Sequence, residues 1–181
     1  MEYSQIIGLD LSLTGTGISV LTNLGAKTNV VKTSSKQPMM DRYKQILASV
    51  LATADVGTSL YIIEGYSFGS FMKSSSLSNL MELGGIIKYE LSLKGAPFYV
   101  VPPTVLKKFI TGKGNAKKED MKLALYKKYE VEFETSDEAD AFALSILGAG
   151  IIKLKTPYTQ NQITKPENEC IQKITGEGIT K

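Results

Sequence analysis

The sequence contains no histidine. That single absence removes Ser-His-Asp triads, Cys-His nucleophile pairs and imidazole-ligated zinc together. One cysteine, Cys170, excludes an internal disulfide and suits a reducing compartment. No apolar run approaches the roughly 18 residues that a membrane span needs. The first residues, MEYSQ, lack the basic start and apolar core of a secretory signal. A soluble, cytoplasmic protein is the expectation. Charge of one sign is also scarce: the net charge is +3 over 181 residues, so the whole molecule is not a polycation. What is there is 43 % hydrophobic, enough for one globular domain with a sizeable core.

Residues 3–33 read as three short strands joined by glycine-containing turns at TGTG and TNLGA. Over 38–54, Met39, Tyr43, Ile46, Leu47, Val50 and Leu51 recur at helical spacing. SLYIIEGYSFGS gives a buried strand ending at Glu64, then a Gly/Ser/aromatic loop. SSSLSNLMELGGIIKYELSLKG reads as a second helix stopped by Gly95. Gly84 and Gly85 inside it each cost about 1 kcal/mol against alanine, which implies a close helix–sheet or helix–helix contact. PFYVVPP is a fifth strand, TVLKKFI a short helix, and 116–129 a lysine-rich helix. A last helix starts at Ser136 as N-cap and runs to about 152. Residues 153–181 are polar, with Pro157, Pro166 and weak periodicity. They read as a tail or peripheral extension to one domain, 1–152. Three antiparallel strands followed by α/β units predict a five-stranded mixed sheet with helices on both faces.

In IIGLDLSLTGTGISVL, Asp10 interrupts an apolar strand just before a glycine turn. Alone it reads equally as a hairpin cap or as a carboxylate for metal or phosphate contact. Glu64 ends the fourth strand. Asp137 and Asp140, in SDEADAFALSIL, share one helix face at i, i+3. If strands one and four are neighbours, the last helix can lay its acidic face over Asp10 and Glu64. Clustered carboxylates repel one another unless cations lie between them. Oxygen ligands without His or Cys suit Mg²⁺ or Mn²⁺. Two such ions roughly 3.5–4 Å apart are a standard device for phosphodiester cleavage. Each acid has an ordinary alternative. Asp137 and Glu138 suit a helix N-terminus, with Glu138 facing solvent, and Glu64 could be a strand-end charge. The coincidence of four is what points to a metal site. Residues 137–140 spell DEAD, but the helicase reading needs a G-x-x-x-x-G-K-[ST] loop, which is absent.

Residues 107–128 hold eight lysines against Glu119 and Asp120, a local +6 that leaves the rest of the chain at −3. A solvated helix face explains this in isolation. Beside an acidic metal site, a phosphate-tracking surface explains it better. It would use Lys107, Lys108, Lys113, Lys117, Lys118 and Lys122, with the TGKGN loop bringing backbone amides near phosphate.

GLDLSLTGTGISVL, YIIEGYSFG, LMELGG, LKKFITGKGNAKKEDM and DEADAFALSIL together resemble a RuvC-type Holliday junction resolvase over about residues 4–150, in that family's order and spacing. The resemblance implies an RNase H-like fold and a homodimer making paired, Mg²⁺-dependent nicks across a four-way DNA junction, leaving 5′-phosphate and 3′-hydroxyl ends. It makes Asp10, Glu64, Asp137 and Asp140 the acidic quartet that holds two Mg²⁺ (or Mn²⁺) ions. Lys107 and Lys118 become the functional lysines flanking the scissile phosphate, with Lys118 catalytic. The family's aromatic in the loop after the second acid has no aligned counterpart here: three residues past Glu64 stands Ser67. Tyr66 and Phe68 lie on either side, and Phe68 is the choice for stacking at the crossover. The helix around Leu77 to Leu93 is the candidate dimer interface, through Met81, Gly84, Gly85 and Ile87. The TGTG turn and polar tail depart from the usual bacterial pattern, as a phage or other mobile-element version would.

Three other classes compete. An RNase H-like nuclease for RNA–DNA hybrids or other branched DNA would use the same acids. An actin-like ATPase shares the Asp-and-glycine hairpin but needs two domains, for which 181 residues are too few. A non-catalytic junction-binding protein has no need of an intact quartet.

Overall fold

A computed structural model describes residues 3–66, 74–159 and 162–176. Five strands form one mixed sheet: β1 (Gln5–Asp10), β2 (Gly15–Thr22), β3 (Gly25–Lys32), β4 (Ser59–Glu64) and β5 (Phe98–Val101), in the order β3-β2-β1-β4-β5. β1 pairs antiparallel with β2, and β2 with β3. β1–β4 and β4–β5 are parallel. Among the described residues six α-helices cover the two faces: α1 (Met39–Ala52), α2 (Ser74–Leu93), α3 (Pro103–Thr111), α4 (Lys118–Tyr129), α5 (Ser136–Ile152) and α6 (Lys165–Gly176). This is the expected architecture. Among the described residues no helix is long and apolar enough to cross a membrane.

The strand period of two divides the core. From β1, Ile7 and Leu9 join Tyr43, Ile46 and Val50 of α1 and Leu83, Ile87 and Leu91 of α2 on one face. Ile6 joins the opposite cluster, made with α3, α4, α5 and α6. Gly8 and Asp10 follow Ile6 on that second side. There α5 lies unusually close to the sheet, because the residues between them are small. A Cβ on Gly8 would stand 2.0 Å from the Ala141 carbonyl oxygen, and one on Gly17 would stand 2.1 Å from that of Asp137. Ser19 and Ser145 bond hydroxyl to hydroxyl at 2.9 Å across the seam. A Cβ on Gly148 would meet Ile6 at 2.5 Å. The close approach carries the start of α5, with its acids, to the ends of β1 and β2.

Local chemistry sets the helix ends, and several expectations change. Thr135, not Ser136, caps α5: its Oγ1 accepts from the Glu138 N–H at 3.2 Å, and Glu138 Oε2 accepts from the Thr135 N–H at 3.0 Å. Glu138 therefore closes a capping box instead of simply facing solvent. Gly84 is faced first by a side chain rather than by helix or strand backbone. It makes room for the Tyr66 hydroxyl, which a Cβ would meet at 2.1 Å, while Gly85 faces open space. Gly84 and Ile87, expected at a dimer interface, are buried on the inward face of α2. The outward stripe is Met81, Gly85, Tyr89 and Leu93, spaced by four, with Tyr89 and Leu93 63 % and 64 % exposed. Gly95, at φ +67°, ends α2 as expected.

Beyond residue 152 the chain forms α6. Glu167 Oε2 accepts from the Thr164 N–H at 2.7 Å and from its hydroxyl at 2.8 Å, a cap for this helix. Cys170, Ile171 and Ile174 are buried in the cluster shared with α3 and α5. Lys108 pairs with Glu169 at 3.0 Å, and Lys128 pairs with Glu167.

Candidate active site

Asp10 and Glu64 are the last residues of two adjacent parallel strands. The register Leu9↔Ile63 runs one step further to set them side by side. Asp140 reaches the same place from the second turn of α5. The three carboxylates line one pocket of about 240 Å³, whose cationic side chains are Lys107 of α3 and Lys118 of α4. Tyr66 forms part of the wall, and Leu106 and Met121 supply apolar lining. Asp137 stands beside this pocket rather than in its lining. Its Oδ2 lies 2.7 Å from where a Cβ on Gly15 would be, so it sits over the start of β2, the antiparallel partner of Asp10's strand. The quartet thus gathers as three acids around the pocket and a fourth at its flank.

The electrostatics follow from crowding under partial burial. Asp10 is held well above the ordinary carboxyl range by burial first, then by the charges of Glu64 and Asp140. Burial also pushes Glu64 up, to about 7; its hydrogen bond with Asp10 and the charges of Lys118 and Lys107 pull it back, and Asp140 pushes it further. Asp140 is raised by burial, with Lys118 opposing and Asp137 adding.

An all-oxygen, half-buried set of mutually repelling acids has the donor chemistry that a hard divalent cation satisfies. The carboxyls are pushed toward their neutral forms by burial first and then by one another, and a cation would reverse that. Among the described residues no three of them close around a single point as a finished cage. The fit is therefore one of donor type, charge and convergence.

The other expected site residues divide. Lys118 Nζ lies 3.5 Å from Ser136 Oγ at the head of α5, and Lys107 faces the pocket. Lys108 turns away, to Glu169 on α6. Lys122 Nζ donates to the carbonyl oxygens of Phe133 and Glu134 at 3.1 Å each, bracing the loop before α5. Lys117 is the N-cap of α4, its N–H bonded to Asp120 at 3.0 Å, and Lys113 is exposed in the preceding loop. The Tyr66 hydroxyl donates to the Met81 carbonyl at 3.3 Å, and Lys88 Nζ sits 5.3 Å from the ring centroid. Phe68 lies outside the described residues. Sequence reasoning missed Gly8 and Gly17 as site-forming residues. The signal was present: G-x-D in β1 and G-x-G-x-S in β2 repeat small residues at the strand period, on the face that α5 covers.

A family model described as crossover junction endodeoxyribonuclease RuvC matches residues 6–148. The crossover junction endodeoxyribonuclease RuvC of Ehrlichia chaffeensis is 31 % identical over 154 residues, covering 80 % of this chain and 96 % of that protein. That of Synechococcus sp. WH7803 is 25 % identical over 152 residues, covering 80 % and 97 %. Among solved structures, Thermus thermophilus RuvC in complex with a Holliday junction substrate shares the fold, with a TM-score of 0.65 and 23 % identity over 80 % of this chain and 91 % of that one. The matched span begins in β1 and ends in α5, so it holds all four acids and both pocket lysines. The chain belongs to the RuvC family of crossover junction endodeoxyribonucleases.

Proposed function

We propose that this protein resolves four-way DNA junctions by paired, symmetric, metal-dependent nicks, leaving 5′-phosphate and 3′-hydroxyl ends. The observation that supports this reading is the meeting of Asp10, Glu64 and Asp140 with Lys107 and Lys118 around one pocket. Asp10, Glu64, Asp140 and the flanking Asp137 would hold two Mg²⁺ or Mn²⁺ ions. When bound, such ions supply an activated water and stabilise the leaving oxygen. The chain's own residues do the rest. With no histidine available, Lys107 and Lys118 are the positive charges aimed at the scissile phosphate, and each suits that task as a compact point charge. Tyr66 offers a ring face beside the same pocket, for a base next to the cut. Lys113 and Lys117, both exposed on the approach to α4, would track backbone phosphates further out. Lys108 and Lys122 are assigned instead to holding α6 and the α5 entry.

Paired incision calls for two such sites related by a two-fold axis. The outward stripe of α2, Met81, Gly85, Tyr89 and Leu93, is the surface proposed to pair with a second copy. Residues 1–152 would form the nuclease domain, with 153–181 as a peripheral extension that α6 anchors.

The test offers labelled four-way junction, flap, linear duplex and RNA–DNA hybrid with Mg²⁺, and maps the products. Nicks at symmetric positions in opposing strands of the junction, with ligatable ends, are expected. Preferential cutting of the hybrid or the flap would overturn the assignment of substrate while leaving the family chemistry intact.

A further inference from the structure

Among 21 basic residues the chain has one arginine, Arg42, and it is not on the surface. It occupies the fourth position of α1 and is 5 % exposed. Nε donates to Thr33 Oγ1 at 2.9 Å and Nη2 to the Leu13 carbonyl at 2.6 Å. Both acceptors are neutral. The nearby acids are engaged elsewhere: Asp41 faces Lys44, and Glu82 accepts from the Tyr43 hydroxyl. Among the described residues no carboxylate forms an ion pair with Arg42. A guanidinium has five N–H donors, so three have no acceptor in the described protein. Burying a charge without a counter-charge is costly, and the unpartnered edge of Arg42 is not sealed in but open to solvent, where an anion can reach it.

The side chain lines a groove of about 360 Å³. Ser12, Thr14, Ser35, Ser76 and Asn79 supply its polar walls, and among the described residues no acid lines it. Two further wall residues, Leu11 and Leu80, also line the catalytic pocket, so the groove and the pocket are neighbours with a common boundary. Leu11 directly follows Asp10. The lysines of the pocket come from α3 and α4, beyond β4, whereas Arg42 comes from α1 on the other face of the sheet.

We propose that this groove is a second phosphate site, in which Arg42 and the surrounding hydroxyls bind a backbone phosphate of the DNA strand whose scissile phosphate lies at the carboxylates. This rests on the reading of the protein as a DNA nuclease. The two bonds to Leu13 and Thr33 fix the plane of the guanidinium, so its remaining N–H edge is oriented before DNA arrives. The bond to Leu13 also clamps the turn after Asp10, where the Thr33 hydroxyl donates to the same carbonyl. A phosphate held here would be positioned relative to the metal ligands through only a few residues of rigid backbone.

Binding of labelled four-way junction is measured against salt in an Asp10→Asn background, which removes cleavage. Four further substitutions are compared: Arg42→Gln, Arg42→Lys, Ser76→Asp, and Ala48→Asp as a control for added charge on the exposed side of α1. Arg42→Gln is expected to weaken binding roughly tenfold and to reduce the slope of log K against log salt by about one. Arg42→Lys should keep the slope and lose affinity, because a point charge replaces an oriented fork. Ser76→Asp supplies Arg42 with a carboxylate. It should leave the melting temperature of the free protein unchanged or raised, yet lower affinity and slope as Arg42→Gln does. Ala48→Asp should do neither. The proposal fails if Ser76→Asp binds like Ala48→Asp, or if Arg42→Gln lowers only the melting temperature with the slope intact. If the Asp10→Asn protein itself shows no salt-dependent affinity for DNA, the nuclease reading fails, and this proposal with it.

Discussion

Glu64→Gln tests the electrostatic account of the site. The Glu64 carboxyl, ordinarily at 4.5, is pushed to about 7, chiefly by burial. A carboxyl raised in this way contributes stability that is fully present below its unfolded value and is lost as pH climbs through its folded one. Above that point the folded protein carries a crowded charge that the unfolded chain carries in water. At about 1.4 kcal/mol per pH unit, the gap between the two values corresponds to about 3 kcal/mol. Glutamine keeps the shape, can donate its amide to the Asp10 carboxylate, and cannot ionise. In chelator the variant and the parent should therefore differ little at pH 5. At pH 8.5 the variant should melt higher by about 5–10 °C, at the roughly 2–4 °C per kcal/mol expected for a chain of this length. Added Mg²⁺ at pH 8.5 should raise the parent more than the variant, because ligand binding stabilises the state that holds the full donor set. Thermal melts followed by circular dichroism, at two pH values with and without Mg²⁺, read all of this. A variant less stable than the parent by the same amount at both pH values would falsify the account, and would make Glu64 an ordinary hydrogen-bonding strand residue.

Gly17→Ala drives a methyl group into the Asp137 carbonyl, so α5 must move. A loss of about 1–3 kcal/mol or more, read by denaturant unfolding, should come with lost cleavage, since the acids of α5 move with it. Lys118→Ala should cut single-turnover cleavage of bound junction far more than it weakens junction binding. Lys108→Ala, whose cation is turned to Glu169, should leave turnover nearly unchanged; equal losses in the two variants would contradict the separate roles given to them. Tyr89→Glu places a charge in the outward stripe of α2 and should shift sedimentation to the monomer while the fold, judged by melting temperature, persists.

The sheet and its acids were legible because their signals are local. Asp10 and Glu64 each terminate an apolar strand, and SDEADAFALSIL carries two acids one helical turn apart ahead of a continuous apolar run. What escaped depended on tertiary placement. Lysine side chains are long, and the sequence does not say that Lys108 turns to α6 or that Lys122 ties down the Phe133 and Glu134 carbonyls. Which face of α2 is inward was decided by Leu83, Ile87 and Leu91; of the four residues expected at an interface, Gly84 and Ile87 fall on that face while Met81 and Gly85 point outward. The helix α6 hid behind low hydrophobicity, although T-K-P-E at 164–167 has the capping-box spacing with proline in the first turn. Thr135 lost to Ser136 as the expected cap because the two are adjacent and chemically alike.

The seam of small residues between α5 and the sheet has a consequence for how the chain reaches its working form. Ser19 and Ser145, which meet across it, are 126 residues apart in sequence. Asp10 and Asp140 are brought together by the same closure. No local segment can make the site ahead of the rest, because its parts come from opposite ends of the matched span. Such non-local topology slows folding, since loop entropy is lost before the contacts that reward it form. It also means that a nascent or partly unfolded chain holds no complete set of acids. A site built this way is complete only when both ends of the span have folded onto each other.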